Sequence, residues 1–409
     1  MADLLRIQEP RKALSSAPRW DVFLELGFRP LYLAGCFWAG LSVLLWVFAP
    51  QMLTGPLHGV MWHAHEMLWA FVATIAVGFL LTAGANWTGV VPIKGPALGA
   101  LCVLWLLGRI GLLVPDGAVF LFAVGCNVAF FLVAALALAR AIYPTRSRRN
   151  YGLPLLVMAL GVLDGLFIAE LLNGDYATLM NRFNAGLLCM ALIALLVARR
   201  VIPFFAMRAV AGLKIPMHTR SGHWQLAAGG LAVLFGLLNM PTAAAIALAV
   251  TGLIALVQLF AWKPLAVRQK PLLWVLYAGY AALGAGLLVA AAHAAGWVVR
   301  PAWPVHVIGV GGFSVLIIGM VTRTALGHLG RPLQTDRSMV ISYWLVIAAA
   351  VLRLIALLPT PISAGALHAS ASLWAVAFAL YLWRFFPMLI RPRVDQTLAR
   401  PVIRVQPTR

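Results

Sequence analysis

Three histidines and one glutamate interrupt an otherwise apolar stretch, PLHGVMWHAHEMLWAF at 56–71. Imidazole ligates haem iron and copper, and thioether sulfur suits Cu(I). A carboxylate beside an imidazole can orient the ring or carry a proton. At about 100° per helical residue, His63 and His65 stand about 200° apart, so they address opposite faces and cannot hold one atom. On that periodicity His65 shares its face with Met61 and His58, and His63 shares the other with Glu66 and Met67. A plainer reading stands beside each residue. A histidine at a membrane boundary is commonly a hydrogen-bonded interfacial group, the expected role of His58 next to Pro56. Glu66 could instead pair with an arginine such as Arg109. Clustering favours chemistry, because ionisable groups inside a bilayer are costly and mostly functional.

A second dense region runs from 304 to 333, PVHVIGVGGFSVLIIGMVTRTALGHLGRPL. His306 opens a helix on the same side as His63 and His65, so an axial pair between helices is allowed. Gly309, Gly311, Gly312 and Gly319 let a neighbouring helix or a flat macrocycle come close, with helix packing the plainer use. Arg323, His328 and Arg331 fall at the opposite end, where arginine suits haem propionates and also suits ordinary basic flanking. Arg109, Asp164 and Arg353 read as structural ion pairs. The tryptophans read as an aromatic belt at helix ends. Cys36, Cys102, Cys126 and Cys189 stand singly, without metal or thiol-exchange spacing, and read as small buried hydrophobes.

The elements that must position these side chains follow from composition. The 409 residues are 63% hydrophobic and 10% charged, against the roughly 25% charged of a soluble domain. Apolar runs of about 20 residues, the length of one bilayer crossing, recur at 31–49, 58–83, 96–114, 118–142, 151–173, 183–206, 225–240, 242–262, 272–292, 303–323, 339–358 and 362–386. An all-α polytopic membrane bundle of about 12 helices follows. It forms a single transmembrane domain at 31–387, between tails at 1–30 and 388–409.

The net charge of +20 is unevenly placed. It collects in the N-terminal tail (Arg6, Arg11, Lys12, Arg19, Arg29), in alternate loops such as Arg146–Arg149 and Arg199–Arg220, and after Arg384. That pattern puts both termini in the cytoplasm and points to anionic lipid rather than nucleic acid. No cleavable signal peptide is expected, and no internal repeat of the transporter kind is visible.

In these residues the chain resembles the NnrS family of bacterial membrane proteins, described as containing haem and copper and linked to the response to nitric oxide. FRPLYLAG, WHAHEMLWAFVATIAVGFLLTAGANWTG at 62–89, RRVIPFF at 199–205, PLLWVLYAGYA at 271–281 and VHVIGVGGFSVLIIGMVTRTALGHLGRP at 305–332 look like the family's blocks in the family's order. The resemblance implies functional roles for His63, His65, Glu66, His306, Arg323, His328 and Arg331, with the four histidines as metal ligands. Two positions depart from the family pattern. Tyr277 stands where a histidine is usual, so it would act as phenolate or hydrogen-bond donor, or one metal site is altered or lost. Leu329 replaces a threonine.

The expected function is that of an inner-membrane haem protein, with copper possible, that binds or converts nitric oxide or a related species inside the bilayer. Glu66 is the expected proton carrier, with Asp164 a second. No c-type haem attachment or carrier domain is visible, so electrons would come from a quinone or a partner protein. The competing readings are a transporter for metal, haem or a small metabolite, and a cofactor-holding sensor.

Overall fold

The structure, a computed structural model, describes residues 16–397. Arg6, Arg11, Lys12 and the end of the C-terminal tail lie outside the described residues. Twelve helices of 17 residues or more account for most of what is described. They are α1 Phe28–Phe48, α2 Gly59–Thr88, α3 Gly95–Gly111, α4 Gly117–Ile142, α5 Gly152–Asn173, α6 Tyr176–Ala209, α7 Thr219–Leu237, α8 Pro241–Ala261, α9 Pro271–Ala294, α10 Ala302–His328, α11 Arg337–Ile355 and α12 Ser363–Leu389. Ten of these are long and apolar enough to cross a membrane. The exceptions are α3, apolar but 17 residues long, and α7, which begins on the polar turn Thr219–Arg220–Ser221.

Local chemistry sets the ends. Asp116, Asp175 and Asp336 accept hydrogen bonds from first-turn amides of α4, α6 and α11, each such cap being worth about 1 kcal/mol. Gly89 closes α2 in the left-handed region at φ +74°. With only 11 acidic residues in the chain, this use of carboxylates at boundaries makes Glu66 and Asp164, both buried, exceptional.

Helix α2 is the most enclosed crossing: 83% of its apolar window is buried, against 33% for α11. It packs against α1, α4, α5, α6 and α10. Helices α9 and α10 approach backbone to backbone, where a Cβ on Gly279 would lie 2.6 Å from the Leu316 amide nitrogen and one on Gly312 3.1 Å from the Leu283 Cα.

Both helices that carry the candidate histidines are interrupted. Each contains one wide stretch of π type, Glu66–Ala73 in α2 and Val307–Ser314 in α10, and each begins directly after a histidine, His65 or His306. A π turn takes up an extra residue and shifts the faces that follow it. A hydroxyl caps each disturbance from five residues on: Thr74 Oγ1 donates to Trp69 O at 3.2 Å and Ser314 Oγ to Gly309 O at 2.9 Å. The two wide stretches touch one another across the bundle.

Candidate functional site

His63 and His306 meet at one end of the bundle. Their ring centroids are 6.5 Å apart and their planes differ by 17°. His63 stacks on Trp46 of α1, with centroids 4.0 Å apart and planes 14° apart, which fixes the ring. His306 Nδ1 donates to Ala302 O at 2.7 Å. That bond places the hydrogen on Nδ1 and the lone pair on Nε2. His63 Nδ1 is buried and has no hydrogen-bond partner among the described residues. Such a nitrogen costs about 1–3 kcal/mol when it is left unpaired.

Both rings line a cavity of about 220 Å³ between α1, α2, α6, α10, α11 and α12. Met61, Met67, Gly309, Ser314 and Arg353 line it as well, and Val60, Tyr176 and Pro301 form an exposed rim. Met61 therefore stands with His63 at the cavity, where unbroken helical periodicity had put it with His65. Arg353 forms no ion pair among the described residues. Its guanidinium lies 5.8 Å from the Trp46 ring centroid, so the expected structural ion pair gives way to a cation at the cavity wall.

His65 sits in a closed, buried network. Its Nδ1 lies 2.7 Å from Glu66 Oε1 and its Nε2 2.7 Å from Asp164 Oδ1. Arg109 Nη1 donates to both Glu66 oxygens at 2.7 Å. Trp38 Nε1 donates to Glu66 Oε2 at 2.5 Å. Asn127 accepts from Arg109 and donates to Asp164. Two carboxylates face one arginine and one imidazole hydrogen-bonded at both nitrogens, and the charges balance when that ring carries both protons, which is what a buried ionic group requires. With both ring nitrogens taken, His65 has no lone pair free for a metal in this arrangement. Neither His65 nor Glu66 lines the cavity. Glu66 joins His65 rather than His63, and its pairing with Arg109 is the plainer of the two readings its sequence allowed.

The remaining candidates lie elsewhere. His328 is half-buried against the Phe28 ring, with centroids 5.3 Å apart, at the far end of α10. From His306 that is roughly 30 Å at 1.5 Å rise per residue, so His306 and His328 cannot share a centre. The Arg323 guanidinium lies 3.8 Å from the Phe205 ring centroid, and its buried Nε has no partner. Arg331, just past the helix, has its pKa lowered by burial first and then by Arg384 and Arg391. Tyr277 is buried on α9 and donates to Trp262 O at 3.1 Å, away from the cavity. His58 is exposed, with Nδ1 3.1 Å from Pro56 O. Of the glycines, Gly312 and Gly319 pack on α9, whereas Gly309 faces open space at the cavity.

Sequence reasoning missed the tryptophans of the interior. Trp38, Trp62, Trp69, Trp105 and Trp374 are buried, and four of them hydrogen-bond inward, to Glu66, Leu160 O, Thr74 and Ala39 O. Trp62 opens the polar WHAHEM pattern and Trp69 follows it, the one signal that set them apart from interfacial tryptophans.

The family model described as NnrS protein matches residues 22–393, nearly the whole chain. No curated protein matches it.

Proposed function

We propose, from the premise that this chain belongs to the NnrS family, that His63 and His306 hold a redox-active metal, haem iron or copper, at which nitric oxide or a related small uncharged species is bound or converted. The observation that carries this reading is the pair itself: two imidazoles from distant segments face each other across a cavity, one with an unpartnered buried nitrogen and the other with its lone pair on Nε2.

The donor set fits such a group. His63 and His306, with ring centroids 6.5 Å apart, would hold the ion through imidazole nitrogens. Met61 and Met67 offer thioethers suited to Cu(I), and Arg353 offers a cation suited to a propionate or another anion. When bound, the metal supplies affinity for the diatomic and a change of redox state. The chain's own residues would hold and orient it: Trp46 fixes His63 and the Ala302 carbonyl fixes His306.

All twelve helices cross the inner membrane in this reading, with both termini cytoplasmic and the His63–His306 end periplasmic, and the electron donor is a quinol or a partner protein. Absorbance and metal content of the purified full chain test the proposal. A Soret band or stoichiometric copper is expected, lost in both His63→Ala and His306→Ala. A colourless, metal-free protein sinks it.

A further inference from the structure

The cavity that holds His63 and His306 has a neighbour. A second cavity, of about 90 Å³, lies farther along the bundle between α1, α2, α6, α9 and α10. Two residues line both cavities, Val72 and Phe313. They form the partition, and both are buried. Val72 belongs to the wide stretch of α2 and Phe313 to that of α10. The two turns that break helical regularity thus supply the wall between the chambers.

The inner chamber differs from the outer in chemistry. Its walls are aliphatic and aromatic, with the sulfurs of Met190 and Met320 and the ring of Tyr32. The Tyr32 hydroxyl is engaged with Thr324 Oγ1 at 3.0 Å, and no histidine, carboxylate or arginine lines the space. An apolar cavity of this kind gives water nothing to hydrogen-bond, stays dry, and takes apolar guests such as xenon. At roughly 30 Å³ per water-sized molecule, its volume suits a few diatomic molecules. None of its lining residues is exposed. Ala76, Phe79, Ala194, Val197 and Val201, along the seam of α2 and α6, are half-buried, and in a bilayer-spanning bundle this partly open seam is the side from which an apolar guest would enter. The outer chamber, by contrast, has an exposed rim and an arginine.

We propose that the inner chamber is a second binding site, for a small uncharged molecule of diatomic size, and that it delivers such molecules from the lipid to the His63–His306 chamber through a gate formed by Val72 and Phe313. The proposal rests on the reading of the outer chamber as the destination. Lipid concentrates uncharged gases and excludes ions, so a guest arriving this way is sorted before it meets the histidines, while polar reactants use the exposed rim. The gate stands where the backbone is easiest to rearrange. A π turn returns to α geometry by passing one hydrogen-bond register, and such turns gather at functional sites. That shift at Glu66–Ala73 or Val307–Ser314 moves Val72 or Phe313 without unpacking the bundle. An acyl chain is the alternative guest, but the partition closes the space well short of the length it needs.

Xenon is the probe, because its binding needs no metal. Crystals of the full chain under xenon pressure are expected to show one site in each chamber, and xenon-129 exchange spectroscopy two bound signals. Ile193→Phe, which fills the inner chamber, is expected to remove the inner signal and keep the outer; Met190→Phe repeats the test should the first variant fail to fold. Phe313→Ala is expected to raise exchange between the two bound signals by at least several-fold. A wild-type inner chamber without xenon, or one holding lipid or detergent chain, overturns the site. Exchange unchanged in Phe313→Ala overturns the gate. Xenon in both chambers of a protein that binds no metal would retire the metal reading and leave the inner site standing; metal without inner xenon does the reverse.

Discussion

His65 and Asp164 are 99 positions apart in the chain and joined by a 2.7 Å hydrogen bond between Nε2 and Oδ1. This link ties α2 to α5 through the network that also holds Glu66, Arg109 and Asn127. Removing one member of a buried ionic network leaves the others uncompensated, typically at about 3–5 kcal/mol. Asp164→Ala and Glu66→Ala are expected to lower the thermal midpoint in detergent strongly. A double-mutant cycle on His65 and Asp164 should give a coupling of order 1 kcal/mol or more. Additive effects would show that the network is not a unit.

His65 and His63, two residues apart, should separate experimentally. His63→Ala is expected to remove the bound metal with a small effect on folding, since the ring only stacks on Trp46 and borders a cavity. His65→Gln is expected to destabilise the protein while the fraction that remains folded keeps its metal and spectrum. Metal analysis beside thermal melts checks this. Loss of metal in His65→Gln at full folded yield would return His65 to the ligand set.

The sequence made much of this legible, for physical reasons that can be named. Apolar runs near 20 residues mark helices because a bilayer crossing has a fixed length, and most observed helices lie within three residues of their runs; α6 begins at Tyr176 rather than 183, α7 at Thr219 rather than 225, and α2 and α10 each end five residues later, at Thr88 and His328. His63 and His306 were singled out because an imidazole in an apolar run is costly. What stayed hidden depends on three dimensions. The Asp164 partner of His65 lies on another helix. Glu66 was assigned to the face of His63 because the periodicity assumed a regular helix, and the wide stretch that begins at Glu66 breaks it; Met61 lies in the regular turns before that stretch and still borders the cavity beside His63. Arg353 looked like half of an ion pair, and only the fold shows that no carboxylate among the described residues pairs with it.

Arg353 is therefore expected to be dispensable for folding and important at the cavity. Arg353→Gln removes the charge and keeps a polar side chain, although it is shorter and gives up the guanidinium contact with Trp46. The thermal midpoint should change little, within about 1 kcal/mol, since no ion pair is broken. Affinity for an anionic probe of the cavity, such as azide or nitrite measured on metal-loaded protein, should fall at least several-fold. Affinity that is unchanged, with the same folded yield, removes Arg353 from the site.

Topology is checked from outside the cell. Gln51, in the exposed loop before α2, and Arg148, in the basic loop before α5, lie at opposite ends of the bundle in this reading. With Gln51→Cys, an impermeant maleimide should label intact spheroplasts. With Arg148→Cys it should label only after lysis, and the native cysteines, three of them buried, should give low background. The reverse pattern would place the His63–His306 chamber on the cytoplasmic side and would redirect the supply of protons and polar reactants.

The close approach of α9 and α10 sets a last test, because it decides whether the cavity wall holds its shape. A methyl group on Gly279 would lie 2.6 Å from the Leu316 amide nitrogen, a backbone atom that cannot swing aside, whereas one on Gly309 meets nothing within 4 Å. Overpacking of this kind costs about 1–3 kcal/mol. Gly279→Ala is expected to lower the thermal midpoint by a few degrees and to weaken metal retention, since the shift propagates along α10 toward His306. Gly309→Ala, inside the cavity on the same helix as His306, should leave the midpoint unchanged. Equal midpoints for the two variants would mean that α9 and α10 do not pack as closely as described, and the position of His306 opposite His63 would lose its structural support.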